Sequence, residues 1–183
     1  MKKRFCCILG ITLVLSLSVG LAHSATDIVL KIEGLDGESK IKGHEGEIDV
    51  LSWDWNVTQS GSMHVGGGGG SGKAQVQDIA IVKYIDKSSI NLFRNCFNGA
   101  HLGEATLTFI GAGENQIEYL KITMTPVLIT SVGIGGENGE DRHTEIVTLN
   151  FAKVKISYTP QKEDGSADAA IEITWNIEKN IEE

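Results

Sequence analysis

Cysteine is scarce in this chain and poorly placed for cross-linking. Cys6 and Cys7 lie close to the amino terminus, and Cys96 is the third cysteine. The first two fall in a segment that we expect to be cleaved off, so the rest of the chain has no second thiol with which to form an intramolecular disulfide. Neither of them lies at the expected cleavage site, which argues against a lipoprotein.

A hydrophobic run long enough to span a membrane is also lacking at the amino terminus. The apolar run at 6–17 is shorter than the roughly 20 residues of a spanning helix. Basic residues at 2–4 precede it, and the small-x-small site AHS at 22–24 follows it, which completes the three parts of a secretory signal peptide. We therefore expect cleavage after residue 24, no stable membrane insertion afterwards, and a mature protein of residues 25–183. A retained anchor is the alternative.

Positive charge is scarce as well. Of the 16 Lys and Arg residues, three lie in the expected leader, which has no acidic residue, so 13 remain against 24 Asp and Glu and the net charge is −11. Such an acidic surface disfavours nucleic acid and anionic lipid as partners. The length, without internal repeats or linkers, predicts a single domain with its own core.

Motifs of common catalytic sites are missing. The sequence contains no G-x-S-x-G or H-E-x-x-H, and its histidines are scattered. Asp141, His143 and Glu145 would share one face of a strand, but no second group of ligands at a recognisable spacing accompanies them. We interpret 135–145 as a solvated turn followed by an exposed strand edge. The sequence therefore predicts no enzyme, no cofactor and no metal site.

Two-residue periodicity, in contrast, is abundant. In 171–178, Ile171, Ile173, Trp175 and Ile177 alternate with polar residues, which predicts a strand with one buried face. Similar patterns, rich in Val, Ile and Thr, predict further strands at 47–57, 75–85, 104–111, 116–124, 127–134 and 143–159. Because the strands do not alternate with helices, they predict a mainly β barrel or sandwich.

One segment has helical periodicity instead. In 86–100, Ile90, Phe93 and Phe97 recur at the spacing of one helix face. Cys96 lies beside them, and we interpret it as a small apolar core residue rather than a nucleophile. The strands are therefore accompanied by a single predicted helix.

The glycine-rich stretch at 66–74, GGGGGSGKA, is one residue short of the P-loop motif G-x-x-x-x-G-K-[ST]. A P-loop needs a buried strand before it, a helix after its lysine and a hydroxyl that binds magnesium. Here the preceding residues are polar, the following residues alternate as a strand, and Ala74 has no hydroxyl. We predict no nucleotide site, and interpret the stretch as a surface loop that is either functional or a flexible connection.

Several longer motifs resemble a known family. These are S-G-S-M-H before the glycine run, V-Q-D-x-x-x-x-K-Y-x-D-K-S at 76–88, G-E-D-R-x-T-E-x-V-T-L-N-F-A at 139–152 and Y-x-P-Q-K at 158–162. Together they resemble the haemolysin-coregulated protein (Hcp) family, the tube proteins of bacterial type VI secretion systems. The similarity covers essentially all of residues 26–183.

The resemblance implies a fold, an assembly and a set of contact residues. The implied fold is a β-barrel of two antiparallel sheets with one flanking helix, and the implied assembly is a hexameric ring that stacks into a tube. Sheath, spike and effector proteins are the implied partners. The loop after the tryptophan-containing strand would contact neighbouring subunits through Ser60, Ser62, Met63, His64, Gly67, Gly70 and Lys73. A second group of interface candidates is Glu140, Asp141 and Arg142.

The leader departs from the resemblance. Members of this family are normally made without a cleavable signal and leave through the secretion machine, whereas a Sec leader would send this chain to the periplasm. Two hypotheses therefore stay open, namely a secreted tube and effector-carrier protein, and an exported ring-forming protein that binds a different partner. Where the mature chain is found distinguishes them.

We predict that the native host removes residues 1–24, because their layout is that of a signal peptide. The intact mass of the protein purified from that host should correspond to a chain beginning at Ala25. A full-length chain recovered from the cytoplasm would contradict export by this route.

Overall fold

A computed structural model describes residues 26–59, 73–112 and 116–183. These ranges contain twelve strands and one helix. The strands are β1 (Asp27–Ile32), β2 (Ile48–Asp49), β3 (Ser52–Asp54), β4 (Val57–Gln59), β5 (Ala74–Val76), β6 (Ile79–Tyr84), β7 (His101–Leu102), β8 (Ala105–Ile110), β9 (Glu118–Gly135), β10 (Thr144–Tyr158), β11 (Ile171–Asn176) and β12 (Ile181–Glu182). The helix, α1, is Ser89–Asn98.

Two long strands, β9 and β10, organise the architecture. They pair antiparallel from Gly135 with Thr144 to Leu120 with Tyr158. On its other edge, β10 pairs first with β6 and then with β11. On its other edge, β9 pairs with β8 along its first half and with β7 at the start of its second half. The two strands therefore run through both halves of the domain.

The remaining strands connect β8 to β6 through pairing and two backbone hydrogen bonds. β8 pairs with β1, β1 pairs with β2, and β3 pairs with β6, all antiparallel. Between β2 and β3, the Val50 amide donates to the Ile28 carbonyl at 2.9 Å and the Leu51 amide donates to the Val82 carbonyl at 2.8 Å. These two bonds connect the β1 side of the sheet to the β6 side. The predicted mainly β fold of antiparallel strands with one helix is confirmed.

The core is formed by side chains of these strands. It follows from the alternation of buried and more exposed residues along each strand. β6 buries alternate residues, and the inward rows of β8, β9 and β10 meet them. The core cluster contains branched aliphatic, methionine and phenylalanine side chains from these strands and from β1, including Leu30, Ile79, Ile81, Leu107, Ile122, Met124, Val147 and Phe151.

Helix α1 lies in the predicted place but presents its aromatic stripe to solvent. Leu92 is fully buried and Cys96 packs against the core from a half-buried position, which agrees with its interpretation as a small packing residue. Ile90 is 68% exposed and Phe97 is 84% exposed. Gly99 ends the helix in the left-handed conformation, φ 61°. In the described ranges, no helix is long and apolar enough to cross a membrane.

Strand boundaries differ from the prediction in three places. The predicted strand 75–85 is divided between β5, which pairs with β4, and β6, which pairs with β3 and β10. The predicted strand 47–57 is divided among β2, β3 and β4, because its successive parts pair with different neighbours. The two strands predicted at 116–124 and 127–134 are one strand, β9, which continues through Pro126. It continues because β10 pairs with residues on both sides of the proline.

The predicted buried face of β11 is only half correct. Trp175 and Ile177 pack against the core, but Ile171 is 67% exposed and Ile173 is 41% exposed. Ile171 pairs with Tyr158, which is itself exposed, and Ile173 pairs with Ile156, which lies half-buried at the margin of the core cluster. The alternation correctly predicted that these residues share one face of the strand. It did not predict how much of that face the core covers.

Two neighbouring residues of α1 test how the helix is held. Leu92→Ala should lower the free energy of unfolding by about 2–5 kcal/mol, because it opens a cavity in the core. Ile90→Ala, the matched control on the exposed side of the helix, should change it by no more than about 0.5 kcal/mol. Denaturant titration measures both, and equal losses would show that α1 packs differently.

Candidate assembly surfaces

The first candidate surface begins at the β4–β5 hairpin. Gln59 pairs with Ala74, so the two ends of the glycine-rich segment lie side by side. The Lys73 ammonium donates to the Glu178 carbonyl at 3.4 Å, and the Ala74 amide donates to the Asn180 side-chain oxygen at 3.2 Å. The base of the hairpin is therefore attached to the turn between β11 and β12.

Most predicted contact residues of this loop, Ser60, Ser62, Met63, His64, Gly67 and Gly70, lie outside the described residues. Lys73 lies at the base of the hairpin, next to the first residue of β5. A P-loop has a helix beginning at this lysine, whereas here a strand begins. The local geometry therefore agrees with a hairpin and differs from a phosphate-binding loop.

The second candidate surface is the turn between β9 and β10. The Glu137 amide donates to a Glu140 carboxylate oxygen at 3.2 Å, and the Glu140 amide donates to the Glu137 carbonyl at 3.4 Å. The same Glu140 carboxylate lies 3.5 Å from Nδ1 of His143. Asp141 is exposed. The turn is therefore a compact acidic projection at the end of the two longest strands.

Arg142 faces a different environment from its acidic neighbours. Its guanidinium carbon lies 4.3 Å from the centre of the Tyr84 ring, a cation–π contact that connects the turn to β6. Arg142 also lines an open groove of about 680 Å³ that includes Asp27, Lys40 and Leu51. The three interface candidates of this turn thus divide into two exposed carboxylates and one cation held over an aromatic ring.

A buried ion network lies where α1 meets the sheet. Lys83 of β6 and Glu145 of β10 are directly paired residues, and both are buried. The Lys83 ammonium donates to Glu145 Oε1 at 2.7 Å, to Asp86 Oδ1 at 2.8 Å and to the Tyr84 carbonyl at 2.8 Å. All three ammonium protons therefore have an acceptor.

The same network holds the first turn of the helix. The Ser89 hydroxyl donates to Glu145 Oε1 at 2.8 Å and accepts the Asp86 amide at 3.0 Å. The Ser88 hydroxyl donates to Asp86 at 2.5 Å. The Glu145 carboxylate thus lies at the amino-terminal end of α1, where the helix dipole favours negative charge. The other Glu145 oxygen, Oε2, is buried without a hydrogen-bond partner in the described structure.

The sequence predicted that Asp141, His143 and Glu145 share one strand face, but the structure places Glu145 and His143 in different environments. Glu145 points inward to Lys83, whereas His143 lies beside Glu140 in the exposed turn. Among the residues that the structure describes, no group of three His, Cys, Asp or Glu side chains is placed to hold a metal ion. The interpretation of 135–145 as a turn and an exposed edge is therefore wrong for Glu145, which is buried.

Carboxylates on the outer face of the sheet are paired with lysines. Lys153 Nζ lies 2.5 Å from Glu183 Oε2, and hydrogen bonding to Lys153 lowers the pKa of Glu183 to about 2. Lys155 Nζ lies 2.8 Å from Glu172 Oε2 and likewise lowers the pKa of that carboxyl. This face is thus locally neutralised, in contrast to the β9–β10 turn.

Comparison with known proteins identifies the family. A family model described as "Type VI secretion system effector, Hcp" matches residues 29–158. The chain belongs to the Hcp family. Protein hcp1 of Pseudomonas aeruginosa is 54% identical over 160 residues, which cover 86% of this chain and 99% of that protein.

Solved structures agree with this assignment. The crystal structure of Hcp1 from Salmonella typhimurium aligns with a TM-score of 0.72 and 38% identity, covering 87% of this chain and 99% of that one. A type VI secretion system effector from Yersinia pestis aligns with a TM-score of 0.66 and 32% identity, covering 82% and 99% respectively. The predicted resemblance is confirmed. Hcp proteins are tube components of type VI secretion systems and form hexameric rings.

The residues of the buried ion network lie in the family motifs of the sequence, but the sequence alone did not predict that they form a buried network. Lys83 and Asp86 lie in the motif at 76–88, and Glu145 lies in the motif at 139–152. The sequence did contain a signal for a buried charge, because Lys83 continues the row of every second residue that begins with Ile79 and Ile81, and this row is buried in β6. A lysine in a buried alternating row requires a carboxylate partner, but alternation does not say which strand supplies it.

The buried pair and an exposed pair should respond differently to mutation. Lys83→Met leaves the Glu145 and Asp86 carboxylates without their cation and should cost about 3–5 kcal/mol in unfolding free energy. Combining Lys83→Met with Glu145→Leu should restore much of that loss. Lys155→Met, which removes the exposed partner of Glu172, should have little effect. Additive losses in the double variant, measured by denaturant unfolding, would contradict a coupled pair.

Proposed function

We propose that this chain assembles as hexameric rings that stack into the tube of a type VI secretion system, with effector proteins carried in the lumen. The observation that carries the proposal is the 54% identity to Protein hcp1, which extends over 99% of that protein. Because the match covers nearly all of that protein, it supports a shared fold and, with it, a shared mode of assembly. The role is structural, and we assign no catalytic step to the chain.

The sheet edge at β11 supports assembly. β12 pairs with residues 175 and 176, and the Glu183 amide donates to the Thr174 carbonyl at 3.0 Å, so on that side β11 has no strand partner at residues 171–173 among the described residues. An unpaired strand edge can accept a strand from another subunit. The exposed Ile171 and Ile173 lie on this segment, and burying them would strengthen such a contact.

We assign the glycine-rich hairpin a contact role between subunits or rings. The support is its attachment, since Lys73 and Ala74 connect the hairpin to the turn at 177–180. A glycine-rich segment lets a backbone approach another subunit closely. Sheath and spike proteins are the further partners expected of a tube, in line with the family.

An exported variant of this role is the second candidate. The observation that favours it is the basic, apolar and small-residue layout of residues 1–24. In this alternative the mature protein keeps the ring but passes through the periplasm and binds a different partner. The two candidates differ in whether release into the medium requires sheath contraction.

We expect purified protein to sediment as a hexamer, because a ring closes only when every subunit uses both of its contact surfaces. Sedimentation velocity gives the mass, and electron microscopy should reveal rings. Host cells with and without a contractile sheath then distinguish the candidates. Sheath-dependent release supports the tube role, whereas equal release from both strains favours the exported alternative. A monomer at micromolar concentration would contradict ring assembly.

A further inference from the structure

The outward face of α1 is an apolar surface in an otherwise acidic protein. Ile90 is 68% exposed, Phe97 is 84% exposed, and the half-buried Phe93 ring lies 6.0 Å from the Phe97 ring. Together with Arg94 and Asn98 they line an open groove of about 650 Å³. We call these five residues the helix patch. Large exposed aromatic side chains on a folded domain mark an interaction surface.

The helix patch is positively charged where most of the surface is acidic. Residues 89–98 contain no Asp or Glu, and Arg94 is their single charged residue. The Arg94 guanidinium donates to the Asn91 side-chain oxygen at 2.9 Å, a neutral acceptor. The patch therefore suits a partner that combines apolar contact with negative charge.

The helix patch is also held in place before any partner arrives. The Ser88 and Ser89 contacts fix the first turn of α1, and Leu92 anchors its middle in the core. A surface on a fixed element loses little conformational entropy on binding. The buried ion network thus positions the patch as well as stabilising the sheet.

The β9–β10 turn has the complementary character. Ile134 is 61% exposed beside it, and Glu137, Glu140 and Asp141 are exposed carboxylates. Glu140 is the member of this group that has a basic side chain nearby, His143 at 3.5 Å. The Glu172 and Glu183 carboxylates on the sheet face are paired with lysines and offer less charge to a partner.

We propose that the helix patch of one copy of this chain receives the acidic β9–β10 turn of the next copy. Ile134 contacts the Phe93 and Phe97 side of the patch, and the exposed Asp141 carboxylate pairs with Arg94. Because the two surfaces differ, the contact is head to tail, which is the kind that closes a ring. The inference rests on the proposed ring assembly and names two of the surfaces that form it.

The test compares the sedimentation of the purified full-length protein with that of three variants. Phe97→Glu and Arg94→Glu should each weaken the subunit contact at least roughly tenfold, since buried aromatic and arginine side chains carry much of the binding energy of an interface. Lys162→Glu is the matched control, because it makes the same charge change on an exposed loop. It should leave the ring intact.

A charge exchange tests the pairing itself. Arg94→Glu and Asp141→Arg should each weaken the ring, and the double variant should recover at least part of the lost affinity. Failure of the double variant to recover, or a Phe97→Glu variant that remains hexameric, overturns the inference while ring assembly stands. Dissociation of Lys162→Glu would also overturn it. A wild-type monomer would refute ring assembly first and this contact with it.

Discussion

Backbone pairing between β9 and β10 is the constraint on which the rest of the structure depends. The two strands stay paired from Leu120 and Tyr158 to Gly135 and Thr144, with one register shift between Thr148 and Leu149, so they connect both halves of the domain. Their outer edges receive β6, β7, β8 and β11. A one-residue slip in this pairing would turn every inward side chain of one strand outward. The acidic turn at their end also takes its position from this register.

The ion network adds a second constraint across that framework. It joins β6, β10 and the first turn of α1 through hydrogen bonds that satisfy the Lys83 ammonium. Burying charge is expensive unless it is paired, so this arrangement tolerates few alternatives. It fixes one helix position rather than merely adding stability. The exposed aromatic stripe of α1 is consequently presented at a defined angle to the sheet.

How much could be predicted from the sequence depended on which interactions are local. Alternation identified β6, β8 and β10, and helical spacing identified α1, because these patterns arise within one element. Exposure of Ile171, Ile90 and Phe97 could not be predicted, since it depends on where the core ends in space. Of the two carboxylate partners of Lys83, Asp86 is three residues away, but Glu145 lies 62 residues away, beyond the reach of any local pattern. The family motifs contain both Lys83 and Glu145, but they do not show that the two side chains form a buried pair.

That separation along the chain has a consequence for how the protein folds. Lys83 has a local partner in Asp86, but its ammonium is fully paired only when Glu145 of β10 packs against it, and an incompletely paired buried ammonium is unfavourable. Contacts between distant segments form slowly, as their loops must close first. We therefore expect the contacts between α1 and Glu145 to form only after β10 has docked. A nascent chain that ends before Glu145 lacks the carboxylate that accepts from both Lys83 and the Ser89 hydroxyl at the first turn of α1.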